Sequence, residues 1–242
     1  MLVIAGAGAY VFRRVTDDGR ARAAATPPAK TAVNPPSSAP PAACGFVDEF
    51  TGTALDPKWE QVRSDAAVTV AGGAATLDAP EGSDIYAKQL AAPMLLRPWT
   101  GDFRLETQLT ATPAQFYQGA GLVLWNGPKS YVRLELGYGD VRAIVFEHMN
   151  GGKHVKTRPP FKRGKNVVRT NSDQVVLQLS RAGDAVTARW RRPDETSFTE
   201  LDTIKLKLPD TVKAGVSVLN RAQSGNRPAP FSATFERVSL AC

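Results

Sequence analysis

Hydrophobic and polar residues alternate in the central part of the chain. Residues 103–109 (FRLETQL) and 131–136 (YVRLEL) place apolar side chains at every second position, which is typical of β-strands with one buried face. Residues 119–125 (GAGLVLW) are almost uniformly apolar, as expected of a strand covered on both faces. The pattern predicts three successive antiparallel strands of one sheet.

Shorter runs of the same kind continue on both sides of this block. Gly72-Gly73, Asn150-Gly151-Gly152 and residues 181–184 carry hairpin-turn residues, and Pro98-Trp99 predicts a further turn. No helix of ordinary length is expected after Val15. The sequence therefore predicts an all-β antiparallel sandwich, with further strands at 48–52, 83–87, 143–149, 198–208, 214–219 and 231–240.

The first 43 residues differ from the rest. Residues 1–14 combine an apolar run with two arginines and are too short to span a membrane alone, so they are interpreted as a partial membrane anchor or a signal-anchor. Residues 15–43 are rich in Ala and Pro and predict a disordered stalk. Both features predict an extracytoplasmic domain at 44–242, either membrane-anchored or secreted. An N-terminal helix of a cytosolic protein is the alternative.

The two cysteines, Cys44 and Cys242, lie at the two ends of the predicted domain. The first and last strands of a β-sandwich commonly lie side by side, so a disulfide between these residues would join the ends of the domain. Two unrelated free thiols are the alternative.

The formal charge of +7 is modest, and residues 1–44 carry five of the 30 basic and two of the 23 acidic residues. A nucleic-acid-binding domain would concentrate more positive charge, so no nucleic-acid partner is expected. The one dense basic run, residues 153–169, is predicted to be a loop or irregular edge. It is either a solvated loop or a contact for an anionic partner such as wall teichoic acid, nucleic acid or a lipid surface.

Several motifs in order resemble the concanavalin A-like lectin and glucanase superfamily. They are DEFTG (48–52), LDPKW (55–59), GSDIYA (82–87), LLRPWTGDFRLET (95–107), QGAGLVLW (118–125) and YVRLELG (131–137). The chain is similar to uncharacterised bacterial members and to domains appended to some bacterial β-xylosidases. This resemblance implies a jelly roll of two curved antiparallel sheets, with a concave groove that in relatives often holds carbohydrate.

The sequence contains one carboxylate in a position typical of catalysis in related folds. Related glucanases carry carboxylates spaced as Glu-x-Asp-x-x-Glu, and this chain has only Glu135 at such a place, with Glu147 or Asp140 as cross-strand candidates for the second carboxylate. His148 and His154 flank a Gly-Gly turn but lack an evident third metal ligand. The resemblance also makes a calcium ion near Asp48 possible.

A carbohydrate site is better supported by the residue types. Aromatic rings stack on sugar C–H faces, and planar polar groups bind vicinal hydroxyls. The candidate ligand-binding residues are Tyr117, Gln118, Trp125, Tyr131, Arg133, Glu135, Glu147, His148 and Trp190. The alternative is that the tryptophans fill the core and the charged residues form cross-strand ion pairs. The expected function is a monomeric, non-catalytic carbohydrate-binding domain. A glycoside hydrolase and a structural or protein-interaction domain are the alternatives.

Overall fold

The computed structural model describes residues 44–63, 65–86, 91–155, 168–221 and 227–242. Within these ranges the chain forms fifteen β-strands and no helix, and every strand pair is antiparallel. The strands are β1 (Gly45–Asp48), β2 (Glu60–Val62), β3 (Val68–Ala71), β4 (Ala74–Ala79), β5 (Met94–Thr100), β6 (Phe103–Ala111), β7 (Gln118–Trp125), β8 (Tyr131–Tyr138), β9 (Arg142–Asn150), β10 (Lys153–Val155), β11 (Gln174–Ala182), β12 (Ala185–Arg191), β13 (Thr199–Lys205), β14 (Thr211–Asn220) and β15 (Phe231–Ala241).

The strands form two sheets that pack face to face. One sheet has eight strands in the order β13-β12-β11-β6-β15-β4-β3, with β1 also paired to β15. The other has seven strands in the order β10-β9-β8-β7-β14-β5-β2. Alternate side chains of the central strands, such as Leu105, Leu122 and Leu134, fill the core between the sheets. The predicted antiparallel sandwich is confirmed.

The predicted hairpins join neighbouring strands. Gly72-Gly73 links β3 to β4, and the left-handed backbone of both residues (φ 61° and 80°) is the conformation that glycine adopts without strain. The turns at residues 150–152 and 181–184 likewise connect β9 to β10 and β11 to β12.

The three central strands do not share one sheet, which corrects the prediction. β7 and β8 are neighbours in the seven-stranded sheet, but β6 pairs with β11 and β15 in the eight-stranded sheet. Residues 112–117 connect β6 to β7, and this length is sufficient to cross the roughly 10 Å between packed sheets. An alternating strand has one buried face in either sheet, so alternation alone does not choose between them.

Two further boundaries differ from the prediction. The first strand ends at Asp48, because Phe50 has a left-handed backbone (φ 49°) and donates its N–H to Asp48 Oδ1. Pro98 and Trp99 lie inside β5 instead of forming a turn. β2 pairs with β5 only up to Leu96, so the missing N–H of Pro98 breaks no ladder hydrogen bond on that side.

The strand predicted at residues 83–87 is also wrong over its described part. Ser83 makes a single bridge to Asn220, and Asp84 Oδ1 then accepts the N–H groups of Ile85 and Tyr86. Because the carboxylate takes the hydrogen bonds that a neighbouring strand would take, the backbone turns instead of extending the sheet. Ala87 lies outside the described residues.

The covering segment, residues 80–86 and 91–93, packs on the outer face of the seven-stranded sheet. Ile85 and Ala92 are fully buried there against Val123, Tyr131 and Leu219. The backbone N–H groups of Ala91 and Ala92 both donate to the carbonyl of Asp84, which links the two described parts of the segment. This sheet is therefore covered on both faces over part of its area.

A disulfide joins Cys44 to Cys242, as predicted. The Cα atoms of the two residues are 5.8 Å apart, because β1 pairs with β15 so that Gly45 lies opposite Ala241. The covalent bond thus joins the first and last strands of the domain.

The predicted anchor at 1–14 and stalk at 15–43 lie outside the described residues, as does most of the basic run at 153–169. Its first three residues form β10, and Arg169 makes a bridge to Ala143. Where the structure describes the chain, it contains no helix with the length and apolar character needed to cross a membrane.

Candidate ligand-binding site

A pocket of about 420 Å³ lies on the outer face of the seven-stranded sheet. Pockets for small ligands typically have volumes of about 300–1,000 Å³. Strands β8 and β9 form the floor, and the covering segment, β10 and the residues beside β7 and β14 form the walls. The described lining residues are Asp84, Tyr86, Tyr117, Arg133, Glu135, Val145, Glu147, His154, Leu219 and Arg221.

The floor follows from the alternation of β8. Val132 and Leu134 face the core, so Arg133 and Glu135 face the pocket, and each is only 6% exposed. Glu147 lies opposite Arg133 in the register of β8 and β9, and its Oε1 contacts Arg133 Nη2. The sequence therefore places an arginine and two carboxylates side by side on a buried surface.

Glu135 occupies space that a glycine leaves open. A Cβ atom at Gly119 of β7 would lie 3.1–3.3 Å from the carboxyl atoms of Glu135. Glu135 Oε2 is 4.0 Å from Arg133 Nη1 and has no hydrogen-bond partner among the described residues. Burial raises the pKa of Glu135, and Asp84 raises it further, while Arg133 acts in the opposite direction.

Arg133 also retains hydrogen-bonding capacity. Its Nη1 lies 3.9 Å from Asp84 Oδ1, too far for a hydrogen bond, and within the described part of the chain neither Nη1 nor Nε has an acceptor. Native proteins leave few buried polar atoms without partners, and those that remain call for an explanation. A polar ligand in this pocket would supply the missing partners.

The walls are held by ion pairs. Asp84 accepts two backbone N–H groups and a hydrogen bond of 2.9 Å from Arg221 Nη1. The guanidinium of Arg221 lies 6.0 Å from the ring centre of Tyr117. These contacts attach the covering segment to the end of β14.

Two tyrosines form the rim. Tyr86 is 41% exposed and Tyr117 is 49% exposed, so both offer ring surface to a ligand. The ring of Tyr86 contacts His154 edge-on at 5.4 Å, and His154 Nε2 lies 3.1 Å from Glu147 Oε2. Burial lowers the pKa of His154, with a smaller contribution from Arg133, which favours its neutral form.

Four predicted ligand-binding residues line this pocket: Tyr117, Arg133, Glu135 and Glu147. Tyr131 is on the same sheet face but is fully buried, and it stacks on Trp125 at 5.7 Å. Burial raises the pKa of Tyr131. Trp125 lines a separate hollow of about 310 Å³ near Lys213.

The structure places the other three predicted residues elsewhere. Gln118 is buried and links Ala114, Gln115 and Asn220 through its side-chain amide. His148 is on the opposite face of β9 from Glu147, because neighbouring side chains in a strand alternate. Trp190 lies in β12 and packs on the main core.

Metal binding gains no support from the residues present. His154 pairs with Met149 and faces the pocket, so it lies on the other side of the sheet from His148. Asp48 accepts hydrogen bonds from Trp59 Nε1, Arg97 Nη2 and the N–H of Phe50, and this donor-rich setting does not fit a calcium ion. In the ranges that the structure describes, no three His, Cys, Asp or Glu side chains are grouped suitably for a metal.

The sequence interpretation missed four lining residues with functional side chains. The sequence predicts a strand at Asp84 and Tyr86 and indicates His154 only as a metal ligand, and no motif indicates Arg221. Asp84 and Arg221 are 137 positions apart and meet only after folding. The one local signal was the Asp in GSDIYA, since Asp often caps nearby backbone N–H groups.

Glu135→Gln is expected to stabilise the protein at neutral pH. Because the folded state raises the pKa of Glu135 above its ordinary value of 4.5, the folded protein binds this proton more tightly than the unfolded chain, and stability falls as the pH rises above that value. Glutamine does not ionise, so the variant avoids this fall in stability. We therefore expect Tm to rise by about 2–4 °C, the shift that 1 kcal/mol causes in a domain of this size.

Thermal unfolding at several pH values would check this expectation, and the difference should vanish below about pH 4. Glu200→Gln is the control, since Glu200 is exposed and pairs with Arg189 on the other sheet. A Glu135→Gln variant less stable than the parent at neutral pH would contradict the assignment of an unfavourable buried charge.

Solved structures share this fold. A xylan β-1,4-xylosidase from Bacillus halodurans C-125 matches with a TM-score of 0.64 and 16% identity over 81% of this chain and 39% of that chain. A Bacillus licheniformis β-glucanase matches with a TM-score of 0.54 and 10% identity over 83% and 99% of the two chains. A functionally unknown protein from Saccharomyces cerevisiae matches with a TM-score of 0.58 and 13% identity over 76% and 96%.

Identities this low show a common fold, and the predicted concanavalin A-like jelly roll is confirmed. No curated protein sequence matches the chain significantly. The family model described as "Protein of unknown function (DUF1349)" matches residues 59–242. Since this match spans more than half of the sequence, the protein belongs to the DUF1349 family.

Proposed function

We propose that this domain binds a carbohydrate in the pocket on the seven-stranded sheet and does not hydrolyse it. One observation carries the proposal: two nearly buried charged side chains, Arg133 and Glu135, have hydrogen-bonding atoms that no described residue engages, and they line the same pocket as two exposed tyrosine rings. Sugars present both hydroxyl groups and apolar C–H faces, so they match a polar floor and an aromatic rim.

The similar folds support the same ligand class. The xylosidase and the β-glucanase are named for activities on polysaccharides, and both share the jelly-roll architecture. Because fold alone does not determine function, the residues of the pocket carry the proposal and the similarity adds to it.

We infer that the domain does not hydrolyse its ligand from the contacts that the other pocket carboxylates make. Hydrolysis needs a second carboxylate as nucleophile or base, about 5–5.5 Å from the acid in retaining enzymes. Glu147 is in contact with Arg133 and His154, and Asp84 is bound by Arg221 and two backbone N–H groups. These partners favour roles in shaping the pocket.

A glycoside hydrolase is the second candidate, because the raised pKa of buried Glu135 is a property of a proton donor. Release of reducing sugar by the protein, lost in Glu135→Gln, would favour this candidate. Binding without release favours the proposed function.

The proposal predicts that Tyr86→Ala weakens sugar binding about tenfold, which corresponds to about 1.4 kcal/mol. The measurement is a glycan array of xylan-, β-glucan- and chitin-derived oligosaccharides with the purified full-length chain, followed by calorimetric titration of the strongest ligand. Tyr86 is exposed at the rim, so its removal should leave the fold intact.

Phe198→Ala is the matched control. Phe198 is a half-buried aromatic residue that precedes β13 of the eight-stranded sheet and contacts Arg191, and it is not among the residues that line the pocket. This variant should bind sugar like the parent. An array without binding, or equal affinity in Tyr86→Ala and the parent, would overturn the proposal and favour a structural or protein-interaction domain.

We also propose that the domain functions outside the cytoplasm, as a monomer. The Cys44–Cys242 disulfide supports the location outside the cytoplasm, because disulfides persist in oxidising compartments. Alkylation and mass measurement of protein isolated without reductant would test the location, and two alkylated thiols would contradict it.

A further inference from the structure

We propose that the preferred ligand is a sugar with a free, protonated amino group beside a hydroxyl, and that Glu135 binds the ammonium. This inference rests on the proposed function and specifies the ligand of the same pocket. It follows from the charge balance, the position of the unused atoms and the burial of the carboxylate.

The charge balance of the pocket favours a cation. The described lining residues include three carboxylates and two guanidinium groups, and His154 is favoured in its neutral form. Asp84 is bound by Arg221 at 2.9 Å, and Glu147 is in contact with Arg133. Among the described residues, Glu135 has the weakest compensation, because the nearest described cation, Arg133, is 4.0 Å away and is already engaged by Glu147.

Burial makes this imbalance significant. Glu135 is only 6% exposed, so water stabilises its charge less than it would at the protein surface. A ligand ammonium that reaches Oε2 would form a charge-assisted hydrogen bond, which is shorter and stronger than a neutral one. A neutral sugar hydroxyl would supply the hydrogen bond but not the missing charge.

The unused atoms of the floor fit two adjacent ligand groups. Glu135 Oε2 is an acceptor and Arg133 Nη1 is a donor, they lie 4.0 Å apart, and no described residue makes a hydrogen bond to either. An ammonium can donate to Glu135 while a neighbouring hydroxyl oxygen accepts from Arg133. An amine and a hydroxyl on adjacent ring carbons provide this pair.

General electrostatic attraction would not produce such a preference. The chain has a formal charge of +7, so its overall field disfavours cationic ligands. A preference for a cationic sugar would therefore arise in the pocket.

The test compares three sets of oligosaccharides of equal length with the full-length protein: glucosamine oligomers, their N-acetylated forms and cello-oligosaccharides. Calorimetric titration is done at about pH 6, where the amines are largely protonated. We expect the glucosamine oligomers to bind about tenfold more tightly than the other two sets. Glu135→Gln should bring the three affinities together, with the largest loss for the glucosamine oligomers.

Glu200→Gln, which makes the same charge change on the eight-stranded sheet, should keep the preference. Equal affinities in the parent, or an unchanged preference in Glu135→Gln, would overturn this inference and leave the proposed function standing. Failure of all three sets to bind, together with an array without binding, would overturn both.

Discussion

Arg133→Met is expected to lower the free energy of unfolding by about 3–5 kcal/mol at neutral pH, the usual effect of removing one partner from a buried charge network. Among the described residues, Arg133 is the cation nearest to Glu135 and contacts Glu147, and all three side chains are less than a tenth exposed. Methionine fills a similar volume, so the decrease in the free energy of unfolding measures mainly the effect of the missing charge and less that of lost packing contacts.

The pH dependence separates this charge effect from a general packing defect. Without Arg133, burial and the charge of Asp84 would raise the pKa of Glu135 further above its ordinary value of 4.5. Stability would then fall as the pH rises through this range, and the loss should shrink towards pH 4, below about which the carboxyl is protonated in both states. Tyr131 and His154 also face this region, but Tyr131 is neutral throughout this range and His154 keeps Glu147 as a partner.

Urea denaturation at several pH values provides the measurement. Arg181→Met is the matched control, because Arg181 is equally buried but donates to the backbone carbonyls of Gly183, Leu208 and Pro209. The decrease in stability caused by Arg181→Met should be nearly independent of pH, since the backbone carbonyls do not ionise. If both variants lose stability equally at every pH, the buried charge network around Arg133 has been misassigned.

Removal of the Cys44–Cys242 disulfide is expected to lower the free energy of unfolding by about 2–5 kcal/mol. The bond joins residues separated by 198 positions, so it restricts the unfolded chain over nearly the whole domain. β1 has only four residues, and among the described strands it pairs with β15 alone, so few other contacts with described strands hold it in place. At about 2–4 °C per kcal/mol, Tm should fall by about 4–20 °C.

Thermal unfolding of Cys44→Ser/Cys242→Ser, compared with the parent in the presence and absence of reductant, would measure this effect. The reduced parent should resemble the double variant, and the double variant should not respond to reductant. A double variant as stable as the oxidised parent would show that the strand pairing of β1 and β15 holds the ends of the domain without the covalent bond.

Glu135 connects stability with the proposed binding. Its buried carboxylate is unfavourable in the free protein and would gain a partner from the ligand, so Glu135→Gln should gain stability and lose the preference for amines. Such opposite effects on stability and function are common at binding sites.

The sequence by itself determined the local features of this protein. The alternation of β8 placed Val132 and Leu134 inside and Arg133 and Glu135 outside, because side chains of a strand alternate whatever sheet they join. Turn residues located the hairpins, and the cysteines at the two ends of the domain predicted the disulfide that the structure contains.

Only the tertiary structure decided which strands are neighbours and which polar residues are buried. β6 alternates like β8 yet lies in the other sheet, and Arg133 and Glu135 became a pocket floor because the covering segment crosses above their sheet. Contacts such as that of Asp84 with Arg221 join residues far apart in the chain, and no local pattern specifies them. The physical reason is that periodicity fixes the direction of a side chain, whereas its burial depends on the segment that packs against it.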